Sequence, residues 1–493
     1  MHSASEPLRF TLALKLRSLR KARGLSLQQL AETSGLAVSY LSEIEKARKY
    51  PKPEKLLDLA AALGVEFDDL VSQRVEERLQ DVRSLVGSEW FREFPFELFG
   101  LETEDVFGLV SRDPDRAGAL LRTFLEVGRT YDVHVEQFLL AALRSYQQLN
   151  RNHFEYLELA AAACRQRRGW SAANPPDAET LAAALVADWG YRIDEETLAS
   201  HPELGGLRSL YVAGESPQLL LNGRLKSIQK TFVLARELGF RELGLSVRPL
   251  TSSWLSVETF DQVLNNFRAS YFAGALLLDR DRLTADLTVL FAETRWRPAA
   301  VAELLARYRA TPETLLHRLT EILPLRFGLD ELFFLRFTHR AAGERPVLTK
   351  VYNMSRVAVP HGLGLNETYC RRWPALRTPA AAGPATAIDL SRLHFQREDA
   401  EFLVLTTTRP LALEPSARSS VALGFLQDAA LRRAVAFGAD PAVPRIEVDL
   451  TCERCPLTNC AERGPEPRHF LQEAAHERRV QAVAALVTDR RRR

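Results

Sequence analysis

Cysteine, net charge and long apolar runs are all scarce in this 493-residue sequence. With five cysteines, a disulfide framework is excluded as the source of stability, and the thiols are left for metal or redox chemistry. No apolar run approaches the roughly 20 residues that a membrane-spanning helix requires, and no signal peptide opens the chain, so a cytoplasmic protein with no membrane partner is expected. A net charge of +2 cannot draw nucleic acid to the molecule as a whole, so any such footprint has to be local. Apolar residues are plentiful: they make up 46% of the chain, enough core for several domains of about 100–200 residues each.

Local basicity lies near the N-terminus. From Arg9 to Arg23 the chain carries Arg9, Lys15, Arg17, Arg20, Lys21 and Arg23 with no acid, while Leu12, Leu16 and Leu19 keep a helical core stripe. Ser26 can cap a second helix, Gln29 can complete its capping box, and Leu27, Leu30 and Ala31 share a face. Gly35 then supplies a left-handed turn residue and Leu36 plugs the angle to a third helix. That helix buries Leu41 and Ile44 and leaves Val38, Ser39, Tyr40, Ser42 and Glu43 outward, a small, polar and aromatic set suited to reading base edges in a major groove. Lys46, Arg48, Lys49, Lys52 and Lys55 follow against Glu54 alone. Leu56, Leu59, Ala60 and Leu63 predict a fourth helix stopped by Gly64, and Phe67, Leu70 and Val71 a fifth. Arg17, Lys21, Gln28, Lys46, Arg48 and Lys49 are the expected phosphate contacts, and segments 15–23 and 46–55 are expected to carry much of the affinity. A helical module that binds protein instead of DNA is the alternative.

Residues 9–73 resemble the Cro and phage-repressor (XRE) type of helix-turn-helix domain over its five-helix length. The resemblance implies double-stranded DNA as partner and a homodimer that reads two half-sites about one helical turn apart. Two positions depart from the family: Leu27 stands where Gln is usual after the cap, and Ala37 where Ser or Thr usually caps the recognition helix.

Residues 76–202 read as a helical connector that also makes the dimer. Its amphipathic periods are Leu120, Leu121 and Phe124, then Phe138, Leu139, Ala142 and Leu143, then Leu157, Leu159 and Ala160, broken at 169–177. No catalytic constellation occurs there.

Over 203–325 the pattern is a short strand, Leu219–Asn222, a helix through Gln229–Phe240 and another through Asn266–Leu277. This resembles the ImmA/IrrE-type metallopeptidase core, whose His-Glu-x-x-His helix sets two imidazoles on one face to hold zinc while the Glu acts as base. Here the histidine positions are Arg236 and Phe240, neither of which can ligate a cation; Glu237 keeps the base position, and Asn266 lies where the third ligand belongs. The segment is expected to be a scaffold or ligand pocket, not a peptidase. An ordinary amphipathic helix without this ancestry is the alternative. Residues 298–308 and 313–323 form a second helical pair that lacks a basic flank and is expected to pack on the scaffold.

Past Gly328 the period shortens to strands at 331–337, 346–352, 387–390, 401–407 and 420–425, with a linker over 378–385 and a helix over 426–434. By fold analogy this predicts an α/β sensor domain of the PAS or GAF sort over 326–470, with a basic helical tail at 471–493. Cys452, Cys455 and Cys460 lie within nine residues, a spacing that suits zinc or an iron–sulfur cluster, with Cys370 as candidate fourth ligand; reduced thiols in a packing or redox role are the alternative. Cys164 reads as a small buried hydrophobe.

The order of these parts, with His317-Arg318-Leu319-Thr320, Phe333-Phe334-Leu335-Arg336, the segment at Cys370 and the final Cys-x-x-Cys, resembles the short-chain fatty acyl transcriptional regulators. That resemblance implies a small-molecule effector such as a short-chain acyl-CoA. The residues after Cys460 depart from the family ending.

The expected fold is therefore multidomain: an all-α five-helix DNA-binding head and helical connector, then an α+β degenerate peptidase-like core and an α/β C-terminal domain. The expected function is sequence-specific regulation of transcription under metabolite control, without enzymatic activity. A DNA-tethered metal-dependent hydrolase and an iron–sulfur redox-sensing regulator are the alternatives.

Overall fold

A computed structural model describes residues 6–46, 49–71, 94–101, 135–251, 259–340, 344–357, 359, 367–381 and 386–492. The chain divides into two compact units, residues 1–146 with 256–263, and residues 147–255 with 264–493. Leu120, Leu121, Phe124 and Arg48 lie outside the described residues.

The first unit contains the five short helices that the sequence predicts: α1 (Glu6–Ala22), α2 (Leu27–Ser34), α3 (Val38–Glu45), α4 (Pro53–Leu63) and α5 (Phe67–Val71). Ser26 Oγ accepts from the Gln29 amide at 3.1 Å while Gln29 Oε1 accepts from the Ser26 amide at 2.8 Å, which satisfies two donors that would otherwise be orphaned at the helix start. Gly35 ends α2 at φ 66°, a left-handed turn that a side chain would strain. Leu12, Leu16, Leu30, Leu41, Ile44, Leu56, Leu59, Leu63 and Leu70 make one buried core. Helix α6 (Val135–Leu149) buries Leu139, Ala142 and Leu143 as expected.

The second unit continues with α7 (Glu155–Arg168) and α8 (Ala178–Trp189), and then β1 (Arg192–Asp194), so the stretch read as helical to residue 202 supplies a strand. Leu157 is buried, but Leu159 is 61% exposed; two positions apart on a helix face nearly opposite ways. Strand β3 (Gln218–Leu221) is central in a three-stranded sheet, with β1 parallel on one side and β2 (Ser209–Val212) antiparallel on the other. Helices α9 (Ser227–Glu242) and α10 (Phe260–Leu277) approach closely because position 239 is glycine. A Cβ there would meet both Ala269 O and a Phe272 ring carbon at 3.0 Å. Helices α11 (Arg280–Ala292), α12 (Pro298–Arg307) and α13 (Pro312–Phe327) follow.

Six strands form the C-terminal sheet: β4 (Leu332–His339), β5 (Val347–Asn353), β6 (Ala387–Phe395), β7 (Ala400–Pro410), β8 (Arg418–Leu426) and β9 (Arg445–Val448). Their order is β5-β4-β8-β7-β6-β9, antiparallel throughout except for the β6–β9 pair. The α/β expectation is thus corrected to α+β: β6, β7 and β8 follow one another as antiparallel neighbours, without the helical crossovers that parallel neighbours require. Residues 378–381, read as linker, complete helix α14 (Pro374–Ala381). Leu426, read as helical, ends β8. One sheet face packs Phe333, Leu335, Phe337, Phe395, Phe402 and Val404 around Trp373, and α13 covers β4 and β8 on the other.

Candidate functional site

Helix α3 meets the requirements of a groove-reading element. Leu41 and Ile44 are fully buried and fix its inner face, while Val38 and Ser39 are exposed and Tyr40, Ser42 and Glu43 half-buried on the outer one. Ala37 provides no side-chain cap. Lys21, Gln28, Lys46 and Lys49 are exposed, and Arg17 is half-buried. The Tyr40 ring lies under two ammonium groups, Lys55 at 4.7 Å and Lys49 at 5.7 Å, which gathers positive charge beside the outer face of α3.

The expectation that segment 15–23 carries affinity needs correction at two residues, Lys15 and Arg20. Lys15 is buried and donates to the Asp69 carbonyl at 2.8 Å. Arg20 is held bidentately by Glu45 at 2.6 and 2.9 Å and donates to Leu25 O at 2.7 Å, so it ties α1 to α3 instead of reaching phosphate. Arg23 donates to Gly64 O at 3.2 Å. Glu45 was missed as a functional support, although its place beside Ile44 and four residues after Leu41 marks the core side of α3.

The degenerate metal site comes together in the second unit. Phe240 is buried and Arg236 is 8% exposed; Arg236 reaches Asn266 Oδ1 and Ser209 Oγ only at 3.5 Å, and its Nε has no partner among the described residues. Burial pushes the Arg236 guanidinium down to about 10. Glu237 is 1% exposed and accepts two hydrogen bonds from Arg248 at 2.5 Å each, and one from Tyr191 at 2.6 Å. Burial would raise this carboxyl, but the Arg248 hydrogen bonds hold it below its ordinary value. The Arg248 guanidinium also lies 3.9 Å from the centroids of both the Phe240 and Tyr211 rings. A protonated side chain thus neutralises the one carboxylate, and the arginine, phenylalanine and asparagine around it are not a zinc donor set. Arg248 was missed because it stands in a loop, at no spacing that links it to Glu237. Asn222 at the end of β3 is fully buried and donates to Gly205 O and Leu207 O at 2.9 Å, a structural role.

Cys370, Cys452, Cys455 and Cys460 are gathered in one place. Segments 368–370 and 450–452 run side by side, with Cys370 N donating to Leu450 O at 3.1 Å and Cys452 N to Thr368 O at 2.9 Å. Cys370, Cys452 and Cys455 are buried and Cys460 half-buried. Burial pushes the Cys370 thiol up to about 11 and raises Cys455 as well, which keeps both protonated near neutrality. Among the described residues no three His, Cys, Asp or Glu side chains are disposed to hold a metal ion. Cys164 is fully buried, with burial pushing it up to about 11.

Known proteins resemble two stretches of this chain. A helix-turn-helix family model matches residues 16–70, and a model described as an IrrE N-terminal-like domain matches residues 194–320. The transcriptional regulator DdrOP3 of Deinococcus deserti is 40% identical over 60 residues, which are 12% of this chain and 46% of that protein. The uncharacterized regulator y4dJ of Sinorhizobium fredii is 39% identical over 54 residues, 11% of this chain and 70% of that protein. The chain spans about half the length of the first of these relatives. A solved Mycobacterium tuberculosis transcriptional regulator aligns over 65% of this chain and 92% of its own, with a TM-score of 0.46 and 18% identity. No helix among the described residues is long and apolar enough to cross a membrane.

Proposed function

Because the chain belongs to the helix-turn-helix family through residues 16–70, we propose that it is a sequence-specific DNA-binding regulator of transcription whose second unit senses a small metabolite. The observation that carries this reading is α3, anchored by buried Leu41 and Ile44 and bare on the face that bears Val38 and Ser39. In it, Val38, Ser39, Tyr40, Ser42 and Glu43 meet base edges of double-stranded DNA, while Arg17, Lys21, Gln28, Lys46, Arg48 and Lys49 meet phosphates. Two copies form a homodimer on paired half-sites in the cytoplasm. The names of the relatives support the regulatory part.

The second unit enters this proposal as a pseudo-peptidase and sensor, with an effector such as a short-chain acyl-CoA and a sheet of the PAS or GAF sort. Its support is the donor set around Glu237, where Arg248 stands in for a metal ion's charge and leaves no base free. Cys370, Cys452, Cys455 and Cys460 are proposed to bind zinc or an iron–sulfur cluster, which would draw the gathered thiols into a tetrahedral set.

Two measurements test these statements. In fluorescence titrations with operator DNA, Ser39→Ala should reorder preference among operator variants, whereas Lys49→Ala should weaken all of them alike and reduce the salt slope by about one. A purified chain without salt-dependent DNA binding would sink the reading. Elemental analysis should find zinc or iron that is lost in the Cys452→Ser/Cys455→Ser double variant; metal content that ignores the substitution removes the cysteine site.

A further inference from the structure

Between α13 and the sheet lies a group of cations that neither the DNA-reading head nor the degenerate metal site uses. Lys350 on β5 and Arg336 on β4 are register partners, Arg336 faces Val421 on β8, and Val421 faces Thr407 on β7, so one row crosses four strands on the side that α13 covers. The neighbouring rows bring Tyr352 beside Phe334 and Arg409 beside Ser419 on that same side. From α13, His317 meets the Phe334 ring edge-on at 5.5 Å and Glu313 enters the row: its Oε2 is 3.2 Å from Arg336 Nε and 3.9 Å from Arg409 Nη2. Arg336 also donates to Ser419 Oγ at 3.1 Å. Arg208, just before β2, adds its charge to those acting on Glu313. Burial would raise the Glu313 carboxyl, yet Arg336, Arg208, Lys350 and Arg409 together hold it down at about 2.

Four cations therefore share one carboxylate. The other acid whose charge reaches Lys350, Glu321, is already engaged by Arg318 at 2.8 Å and by His317 at 3.1 Å. The Lys350 ammonium lies 5.7 Å from the Phe334 ring centroid, and loss of hydration together with the Arg336 and Arg208 charges pushes it below its ordinary value against the pull of Glu313 and Glu321. Two hydroxyls on the same side are orphaned: Tyr352 OH and Thr407 Oγ1, on residues 3% and 2% exposed, have no hydrogen-bond partner among the described residues. Buried polar groups without partners and cations without counter-charge each cost free energy that a bound anion would recover.

We propose that this cluster is a binding site for a compact metabolite that carries two or more negative charges, held by Lys350, Arg336, Arg409 and Arg208 with the Tyr352 and Thr407 hydroxyls as further donors. Di- and tricarboxylates and phosphate esters share this chemistry. The inference goes beyond the regulatory reading, since the anion binds the second unit whether or not DNA is engaged.

Calorimetric titration of the full chain with pyrophosphate and with citrate, at an ionic strength fixed by sodium chloride, tests it. Saturable binding of at least one probe is expected, and the better probe tells phosphate from carboxylate. Lys350→Gln and Arg409→Gln should each weaken it about tenfold, the loss of one charge-assisted hydrogen bond, while Arg433→Gln, at an exposed position, leaves it unchanged. Tyr352→Phe removes only the orphaned hydroxyl, and weakened binding by this variant keeps the test decisive where a charge variant fails to fold. No saturable binding of either probe, or binding undiminished in the folded Lys350→Gln and Tyr352→Phe variants, overturns the proposal.

Discussion

Arg318 shows how much one residue holds in the second unit. Its fully buried guanidinium donates to both oxygens of Glu158 at 2.7 and 2.8 Å and to Glu321 at 2.8 Å, and Tyr271 adds a hydrogen bond to Glu158 at 2.8 Å. Burial would raise the Glu158 carboxyl, but Arg318 holds it below its ordinary value. A carboxylate depressed in this way stabilises the fold above its unfolded value, and the contribution is lost as pH falls through the folded one. Arg318→Met inverts the sign, because burial acting without the guanidinium favours the protonated acids. At pH 7 the variant should lose on the order of 3–5 kcal/mol, the effect of stripping a buried charge of its partner. It should recover part of this as pH falls toward 5, where the parent gains nothing. Urea midpoints across that range check it, and parallel pH profiles would refute it. Lys15 carries a lesson at the same scale: it falls in the basic segment 15–23 expected to carry affinity, yet it lies three residues after Leu12 on the core stripe, and that spacing marks it for burial.

Elements were legible where their cause is local. The helix α2 boundaries follow from Ser26, Gln29 and Gly35, and α4 ends at Gly64 with φ 58°, because caps and left-handed glycines act within a few residues. Strand β3 was visible as an apolar run before Asn222. Strands β1, β2 and β9, of three or four residues each, were not, since such segments are strands only through partners remote in sequence. The second half of β6 was missed for that reason: Arg392 pairs with Arg445 some fifty residues on. The candidate site divides along the same line. The exposed outer face of α3 could be read from spacing, and so could the loss of imidazole at Arg236 and Phe240. Arg248 on Glu237 and the row of cations from Lys350 to Arg409 could not, because they arise from register across a sheet and from a loop.

For the whole molecule, a DNA-reading unit and an anion-binding unit in one chain make a quantitative claim about linkage. If the anion alters operator affinity through the protein, operator DNA must alter anion affinity by the same factor, since both measure one coupling free energy, typically about 1–3 kcal/mol. A competing cause has to be separated. Eleven Lys and Arg stand against four Glu between Arg9 and Lys55 although the chain is only +2 overall, so added multivalent anions also weaken DNA binding by screening the head. Lys350→Gln parts the two effects, because it leaves the head's charge untouched and removes a cation only from the second unit. With pyrophosphate at constant ionic strength, the parent chain should show operator affinity shifted about tenfold and an equal, reciprocal shift in pyrophosphate affinity when operator is present. The variant should keep the screening effect and lose the reciprocal part. An identical response of parent and variant would mean that the two units are uncoupled and that the anion acts on the phosphate contacts alone.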